Sequence, residues 1–243
     1  MYFFINYRFQ QIKTGGENKR LHPGQRILFF ETQKRAGTLR KHIYSFRTIS
    51  KPSEGLYREK GSRFLAFAYP VAGQDEIKGY VSLLEKKYFD ARHHCFAWML
   101  GAQGEYFRAF DDGEPSHSAG DPILGQIRSK GVTNVLVVVV RYFGGVKLGV
   151  GGLVSAYKTA AADALNRAEI VEKEVVESII INYDYSATAE VMRLVKQFAM
   201  KIQSQRFETE CEMVAEYRMG EKDNILEMLD LIKAGGVRVG YHQ

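Results

Sequence analysis

The sequence predicts an α+β protein with two domains behind a basic leader, and three observations support this prediction. A length of 243 residues suits one large domain or two small ones. Hydrophobic residues at 45% and charged residues at 26% are typical of a globular protein. The predicted elements follow the order β-α-β-β-α-β-α over residues 52–170 and β-α-β-β-α-β over residues 171–243.

The elements of the first domain follow from local patterns. Residues 52–55 (Pro-Ser-Glu-Gly) indicate a turn, and residues 74–88 place apolar side chains at helical spacing. Residues 134–141 are nearly all Val and Leu, which predicts a central strand buried on both faces. We expect Asp121 to cap the helix that starts at Pro122. The other predicted elements are strands at 63–69, 94–100 and 105–110, and helices at 122–130 and 153–167.

The second domain shows the same kinds of pattern in a different order. Its apolar helical residues recur at near-helical spacing, and two strands follow each other directly in the middle. The order β-α-β-β-α-β is the split, ferredoxin-like arrangement. The predicted elements are strands at 175–183, 201–207, 210–218 and 237–241, and helices at 187–198 and 222–233.

The leader, residues 1–51, holds the basic excess of the chain. It has 11 basic and 2 acidic side chains, a net charge of +9, whereas residues 52–243 have 23 basic and 26 acidic side chains, a net charge of −3. An isoelectric point of about 9.1 is therefore no evidence for a nucleic-acid-binding fold. Phe and Tyr between Arg and Lys suit a nucleic-acid-binding arm, but missing hydrophobic periodicity favours a poorly ordered segment.

Composition and hydropathy exclude several classes of protein. Two cysteines, Cys95 and Cys211, cannot form a disulfide framework, and they fit a reducing cytosol. No stretch approaches the roughly 20 apolar residues that span a bilayer, and the start of the chain does not resemble a signal peptide. We therefore expect a cytoplasmic protein without a membrane partner and without a cofactor.

A polar loop, residues 111–120, follows a predicted strand directly. Three carboxylates within four positions could hold a hard cation or act as an acid/base pair. They could equally turn the chain and cap the next helix. Their spacing lacks the ligand order of a calcium loop, so no metal site is predicted. The candidate residues of this loop are Asp111, Asp112, Glu114, Ser116 and His117.

A glycine-rich loop, residues 142–152, lies between the central strand and a long helix. Backbone amides at a helix start, together with two cationic side chains, attract anions such as the phosphate of RNA. The loop matches neither the P-loop nor the dinucleotide fingerprint. Alternatively, its glycines permit tight strand-to-helix packing. The candidate anion-binding or RNA-binding residues are Arg141, Gly144, Gly145, Lys147, Gly149, Gly151 and Gly152.

Histidine and cysteine give weaker signals. His93 and Cys95 share one face of a strand whereas His94 takes the other, which leaves too few ligands for a tetrahedral zinc site even with His117. Cys95 could form a nucleophile pair with a histidine, but a cysteine in a core strand is more often an inert small apolar residue.

The two loops and their neighbouring segments resemble the YigZ/IMPACT family over roughly residues 52–243. The resembling segments are Gly61-Ser-Arg-Phe64, His94-Cys-x-Ala97, Asp112-Gly-Glu-Pro-Ser116, Ala119-Gly-Asp-Pro-Ile-Leu124, Arg141-Tyr-Phe-Gly-Gly-x-Lys-Leu-Gly-x-Gly-Gly-Leu153 and Tyr157. One departure is His117-Ser118, where the family usually has Gly-Thr. A bulky histidine there either hinders the close approach of a ligand or adds a hydrogen-bond donor.

The resemblance implies a first domain similar to the fourth domain of elongation factor G and a second similar to that factor's last domain. Eukaryotic relatives regulate translation by interfering with activation of an initiation-factor kinase. They carry a different extra domain, so that partner is not expected here. For bacterial members the resemblance implies contact with RNA or the ribosome.

Three functions remain open at this point. The leading hypothesis is a non-enzymatic, translation-linked regulator that binds RNA or a ribosomal or translation-factor surface, with Arg141 and Lys147 on phosphate. The first alternative is a hydrolase acting on a small phosphorylated or peptide substrate through the carboxylates of the polar loop with His94 or His117. The second alternative is a protein-interaction module. No catalytic residue and no oligomeric state are assigned.

Overall fold

The computed structural model describes residues 44–242. This part of the chain has five α-helices and eleven strands, and the strands form three sheets. The strands are β1 (Ser45–Ile49), β2 (Ser53–Glu59), β3 (Ser62–Pro70), β4 (His93–Leu100), β5 (Tyr106–Phe110), β6 (Val135–Tyr142), β7 (Ile170–Glu174), β8 (Val176–Tyr183), β9 (Lys201–Phe207), β10 (Cys211–Arg218) and β11 (Val239–His242). The helices are α1 (Gln74–Lys87), α2 (Gly120–Lys130), α3 (Gly149–Arg167), α4 (Thr188–Gln197) and α5 (Lys222–Ala234).

The five-stranded sheet has the order β2-β3-β6-β4-β5, and all its neighbouring strands are antiparallel. Central strand β6 is buried on both faces, as the run of Val and Leu predicts. Val135, Val137 and Val139 pack in one core with α2 and α3. The alternate residues Leu136 and Val138 pack on the opposite face with α1. This sheet therefore lies between two helical layers.

Helix α3 packs closely on the sheet through its small residues. Ala156, Ala160, Ala161 and Ala164 are completely buried. A Cβ atom at Gly55 of β2 would overlap the backbone of Ala164, so a glycine is required where the strand meets the helix. This close packing fixes where α3 begins relative to the end of β6.

The four-stranded sheet has the order β11-β8-β10-β9 and is also antiparallel. Helices α4 and α5 share one apolar core with a single face of this sheet. The order and the one-sided helices are those of the ferredoxin-like arrangement that the sequence predicts. The α+β class is confirmed.

Three strands were missing from the predicted order. Residues 52–55 are not a turn, because β2 begins at Ser53 and pairs with β3 along its length. Strand β1 pairs with β7 in a separate antiparallel ribbon, so part of the segment assigned to the leader is regular structure. Their sequences are short, polar and half-exposed, which explains why hydrophobic periodicity does not reveal them. The rest of the leader prediction concerns residues 1–43, outside the described part.

Two helix starts also differ from the prediction. Helix α3 begins at Gly149 rather than at 153, although glycine disfavours helices, because its later turns pack on the sheet. Helix α2 begins at Gly120, so Asp121 lies inside its first turn and is not its cap. Within residues 44–242, no helix combines the length and the apolar character needed to cross a membrane. The domain boundary at 170 and 171 stays a prediction.

Candidate functional site

Asp111 is the first residue of the polar loop, and its carboxylate caps α2 from outside the helix. It accepts hydrogen bonds from the backbone N–H groups of Ala119 at 3.0 Å, Gly120 at 2.8 Å and His117 at 2.9 Å. Burial acts to raise the pKa of Asp111, but these hydrogen bonds outweigh it and hold the pKa below its ordinary value. Asp111 thus takes the capping role that the sequence predicts for Asp121.

Asp112 fastens the same loop to strand β4. Its carboxylate accepts the backbone N–H of His94 at 2.6 Å, and its carbonyl oxygen lies 2.8 Å from Nδ1 of His93. Because a carbonyl oxygen only accepts, Nδ1 carries the proton of this contact. Asp112 has a φ of 44°, a left-handed conformation that these contacts hold in place.

Glu114 points inward, and its side chain is only 4% exposed. Its Oε1 atom accepts hydrogen bonds from Nη1 of Arg141 at 2.5 Å and from the Tyr157 hydroxyl at 2.8 Å. The Cys95 thiol lies 3.3 Å from that hydroxyl. Burial is the main cause that raises the pKa of both Cys95 and Tyr157, so both groups stay protonated. These hydrogen bonds connect four buried side chains in the order Cys95, Tyr157, Glu114 and Arg141, and so join β4, α3, the polar loop and β6.

The three carboxylates of the polar loop therefore have separate tasks. Asp111 caps α2, Asp112 accepts a backbone hydrogen bond from β4, and Glu114 forms an ion pair with Arg141. The described residues contain no group of three or more His, Cys, Asp or Glu side chains placed to hold a metal ion. Ser116 and His117 are exposed, and the His117 ring contacts Asp121 of α2 through Nδ1 at 2.6 Å.

The glycines of the second loop divide into two groups. At Gly144 a Cβ atom would overlap Gly61, so this glycine permits close packing of the loop on the turn between β2 and β3, a strand turn and not the helix that the second interpretation names. Gly152 is also constrained, since its Cβ would lie 3.0 Å from Cβ of Leu148. By contrast, apart from the adjoining residues and the backbone of α3 itself, no described atom lies within 4 Å of the Cβ positions of Gly145, Gly149 and Gly151. These three glycines leave room beside the start of α3.

The start of α3 has no side-chain cap within residues 44–242. Its first turn, residues 149–152, contains only Gly and Val, so it has no carboxylate of its own to accept from the backbone N–H groups. The first N–H groups of a helix have no intrahelical partner, and they carry partial positive charge. This end of α3 is therefore an electropositive surface with little steric protection.

The two loops meet at one cavity of about 410 Å³. Its wall brings Glu114 and Pro115 of the polar loop together with the end of β6, the glycine-rich loop and the start of α3. His93 of β4 and the preceding residue Arg92 complete the wall. The lining residues are Arg92, His93, Glu114, Pro115, Arg141, Phe143, Lys147, Leu148, Gly149, Val150 and Leu153.

The cavity contains part of the predicted site and adds residues that the sequence does not reveal. Arg141, Lys147, Gly149 and Glu114 line it, whereas the other candidates do not. Arg92 was missed. It comes close only because His93 pairs with Arg141 in the sheet, a register that local pattern does not disclose. The other glycines and polar-loop candidates outside the lining are Gly144, Gly145, Gly151, Gly152, Asp111, Asp112, Ser116 and His117.

The charged lining of the cavity is predominantly cationic. With His93 neutral, the described lining has Arg92, Arg141 and Lys147 against the single carboxylate of Glu114, a net charge of +2. Arg141 is 7% exposed, and its Nε has no acceptor among the described residues. Its guanidinium lies 5.7 Å from the ring of Phe143, which is 43% exposed. The guanidinium of Arg141 and the exposed ring of Phe143 are therefore neighbours in the cavity wall.

The fold and the cavity define an α+β protein of three antiparallel sheets with a cationic, partly aromatic pocket between two loops. Residues 60–165, which include both loops, match the Impact N-terminal domain. The chain is 30% identical to IMPACT family member YvyE of Bacillus subtilis over 161 residues, 65% of this chain and 74% of that protein. It is 36% identical to IMPACT family member YigZ of Escherichia coli over 145 residues, 59% and 71% of the two.

The chain therefore belongs to the IMPACT family. A solved structure described as a hypothetical protein supports the fold, with a TM-score of 0.67 at 28% identity. The match covers 81% of this chain and 96% of that chain, so it includes most of the described residues.

Proposed function

We propose that this chain is a non-enzymatic, translation-linked protein of the cytoplasm that binds single-stranded RNA at the cavity. The observation that carries the proposal is the uncapped start of α3 beside Lys147 and Arg92, on a fold whose net charge is otherwise negative. The cationic character is local, as expected for a site that binds a few phosphates. The family resemblance supports the link to translation.

The cavity offers contacts for both parts of a nucleotide. Backbone N–H groups at the start of α3 and the ammonium group of Lys147 suit a phosphate group. The exposed ring of Phe143 suits a base, because unpaired bases stack on aromatic side chains with little dependence on sequence. A helical RNA hides its base faces, so the contacts favour a single strand or a loop.

The hydrolase alternative has less support from the same residues. A nucleophilic Cys95 would need a thiolate, but burial raises the pKa of this thiol. Asp111 and Asp112 are bound to backbone N–H groups, and Glu114 is bound to Arg141. Asp112 Oδ2 lies 4.0 Å from Nδ1 of His94, beyond hydrogen-bond distance, and the ring of His117 contacts Asp121 instead of a carboxylate of the polar loop.

The proposal is tested by fluorescence anisotropy of a labelled single-stranded RNA with the full chain over a series of salt concentrations. We expect Lys147→Gln to weaken binding and to reduce the slope of log affinity against log salt by about 0.7, the value for one phosphate on a single strand. The matched control is Lys196→Gln, which changes an exposed lysine of α4 outside the cavity.

Both variants retain the basic leader, so any binding through residues 1–51 is equal in the two. A loss that is the same for Lys147→Gln and Lys196→Gln would overturn the proposal. The same conclusion follows if neither variant differs from the unchanged chain, because the cavity would then contribute nothing.

A further inference from the structure

We infer that strand β5 is a docking edge for an extended acidic segment of another protein, which pairs with it as a sixth strand of the sheet. Strand β5 lies at one edge of the five-stranded sheet, and β4 is its only partner among the described strands. Its backbone, its exposed aromatic side chains and two nearby arginines support this role. No residue of β5 lines the cavity, so a function at this edge is separate from RNA binding there.

The two edges of the five-stranded sheet differ in how their backbone is covered. At the β2 edge, α3 packs on the strand, and the Asp163 carboxylate of this helix accepts the backbone N–H of Leu56 at 2.9 Å. At the β5 edge, the described residues form no hydrogen bond to the backbone of residues 107–110 apart from the pairing with β4. An edge strand with free N–H and C=O groups is a template on which another strand can pair.

Aromatic side chains dominate the exposed surface of β5. Tyr106, Phe107 and Phe110 are all exposed. Side chains alternate along a strand, so Phe107 lies on the face that α2 covers, and Tyr106 and Phe110 lie on the face that α1 covers. An added strand would therefore remove apolar surface from water on both faces of the sheet at once.

A groove of about 220 Å³ borders β5 on the α1 face of the sheet. Every second side chain of an added strand points to this face, so a long apolar side chain there can enter the groove. The charged part of the lining has two cations and one carboxylate, a net charge of +1. The lining residues are Gln74, Ile77, Lys78, Val81, Ser82 and Glu85 of α1, Phe96 and Trp98 of β4, and Arg108 of β5.

Two arginines give this edge its preference for an acidic partner. The Arg108 guanidinium lies 5.8 Å from the ring of Phe110 on one face of the sheet. On the other face, the guanidinium of Arg128 from α2 lies 4.5 Å from the ring of Phe107. Neither arginine forms an ion pair with any residue that the structure describes. Acidic side chains of an added strand would supply the missing counter-charges on both faces.

Charge also disfavours two other occupants of the edge. If β5 paired antiparallel with β5 of a second copy about its middle residue, Arg108 of one chain would lie opposite Arg108 of the other. Like charges in directly opposite positions destabilise a sheet. The leader of the chain carries a net charge of +9, so it does not complement the arginines either. An acidic segment of another protein is therefore the occupant that fits.

The test measures the binding of labelled synthetic peptides to the full chain by fluorescence anisotropy. The probe alternates acidic and apolar residues, with the sequence Glu-Val-Glu-Val-Glu-Val-Glu. One control peptide has Lys in place of each Glu, and the other has Pro in place of the central Val, because proline cannot donate a hydrogen bond to a neighbouring strand. We expect the probe to bind about tenfold more tightly than either control peptide.

Variants of the chain locate the site. Arg108→Gln and Arg128→Gln should each weaken binding of the acidic peptide about threefold, as expected for the loss of one exposed ion pair. The matched control is Arg58→Gln, which changes an exposed arginine on β2 at the opposite edge of the same sheet and should have no effect. Hydrogen–deuterium exchange of residues 106–110 should slow when the acidic peptide binds, because backbone N–H groups at the edge become paired.

Several results would overturn this assignment of β5. They are an absence of peptide binding, equal binding of the probe and either control peptide, and an equal loss for Arg58→Gln and Arg108→Gln. Exchange of residues 106–110 that slows with protein concentration, without peptide, would assign the edge to a second copy instead. Slower exchange with single-stranded RNA alone would assign it to nucleic acid.

The two proposals can fail separately. Lys147→Gln, which should weaken RNA binding at the cavity, should leave binding of the acidic peptide unchanged. If RNA does not bind but the peptide results hold, the docking edge stands without the proposed function. If RNA binds at the cavity but the acidic peptide does not bind, the docking edge is wrong and the proposed function stands.

Discussion

Arg141 at the end of β6 and Glu114 in the polar loop form an ion pair with 2.5 Å between Nη1 and Oε1. Their side chains are 7% and 4% exposed, so the pair is shielded from water. It joins the two loops that line the cavity, and the Tyr157 hydroxyl adds a third member from α3. A buried pair gives little net stability over an apolar pair, but removal of one partner leaves a buried charge.

Glu114→Gln should therefore destabilise the fold strongly. The change removes the negative charge but keeps the shape, and Arg141 then remains buried without a counter-charge. We expect the free energy of unfolding to fall by about 3 kcal/mol, as measured by urea denaturation. The double variant Glu114→Gln/Arg141→Met should recover part of this loss, because it also removes the buried charge of Arg141.

The matched control is Glu190→Gln on α4, where Glu190 pairs with Arg193 at the surface. An exposed pair contributes about 0–1 kcal/mol, so this variant should remain close to the unchanged chain. Equal losses for Glu114→Gln and Glu190→Gln would show that the buried pair has no special role.

The two groups of glycines in the second loop give a second prediction. Gly144→Ala places a Cβ against the backbone of Gly61, which cannot move without disturbing the β2–β3 turn. We expect a loss of about 2–3 kcal/mol in the free energy of unfolding, in the range for overpacking. Gly151→Ala puts a methyl group into open space in the first turn of α3. There we expect no loss, or a gain of up to about 1 kcal/mol from helix propensity.

Gly151→Ala also tests how the ligand approaches. If the variant keeps its stability but binds RNA less well, Gly151 is needed so that the RNA can come close to the start of α3. Equal stability of Gly144→Ala and the unchanged chain would contradict the packing argument.

Much of the fold could be predicted because its strongest signals are local. The Val and Leu run of β6 and the apolar spacing of α1 depend only on neighbouring residues. Strands β1 and β7 pair with each other although more than a hundred residues separate them in the sequence. Neither segment alone therefore shows that it forms a strand. Long-range pairing of this kind explains why the predicted order lacked β1 and β7. Strand β2 pairs with its sequence neighbour β3, and it was missed because the Pro-Ser-Glu-Gly pattern at its start indicates a turn.

The candidate site was only partly predictable for a related reason. Arg141 and Lys147 stand beside the glycine-rich loop in the sequence, so their charge and spacing indicated an anion site. Arg92 joins them only through the register between β4 and β6. The direction of Glu114 was also hidden, since three carboxylates in a row suggest a shared ligand until their separate partners are known.

The cysteines provide a third prediction, which addresses the hydrolase alternative. Cys95 and Cys211 are both buried, and burial raises the pKa of the Cys95 thiol. We expect neither thiol of the native protein to react with Ellman's reagent within minutes at pH 8, and both to react in urea. In the Cys211→Ser variant the signal belongs to Cys95 alone. Rapid reaction of one thiol in that folded variant would contradict the buried, protonated state and revive a nucleophilic role.

The Asp111 cap of α2 gives a prediction about pH. Its pKa lies below the ordinary value because three backbone N–H groups outweigh the effect of burial. A carboxyl group with a lower pKa in the folded state stabilises the fold above its unfolded pKa of about 4, and this contribution is lost as the pH falls through the folded value. Asp111→Asn should therefore cost about 1–2 kcal/mol at pH 7, the usual loss for a helix cap.

The pH profile distinguishes this charged cap from a simple packing role. The difference in unfolding free energy between the unchanged chain and Asp111→Asn should stay constant from pH 7 to about pH 5 and shrink below about pH 4. Urea denaturation at pH 7, 5, 4 and 3 measures it. Asp75→Asn is the control, because Asp75 is fully exposed in the first turn of α1 and its loss should be small. A difference for Asp111→Asn that persists undiminished at pH 3 would mean that the carboxylate charge does not stabilise α2, and the shape of the side chain alone would then account for the cap.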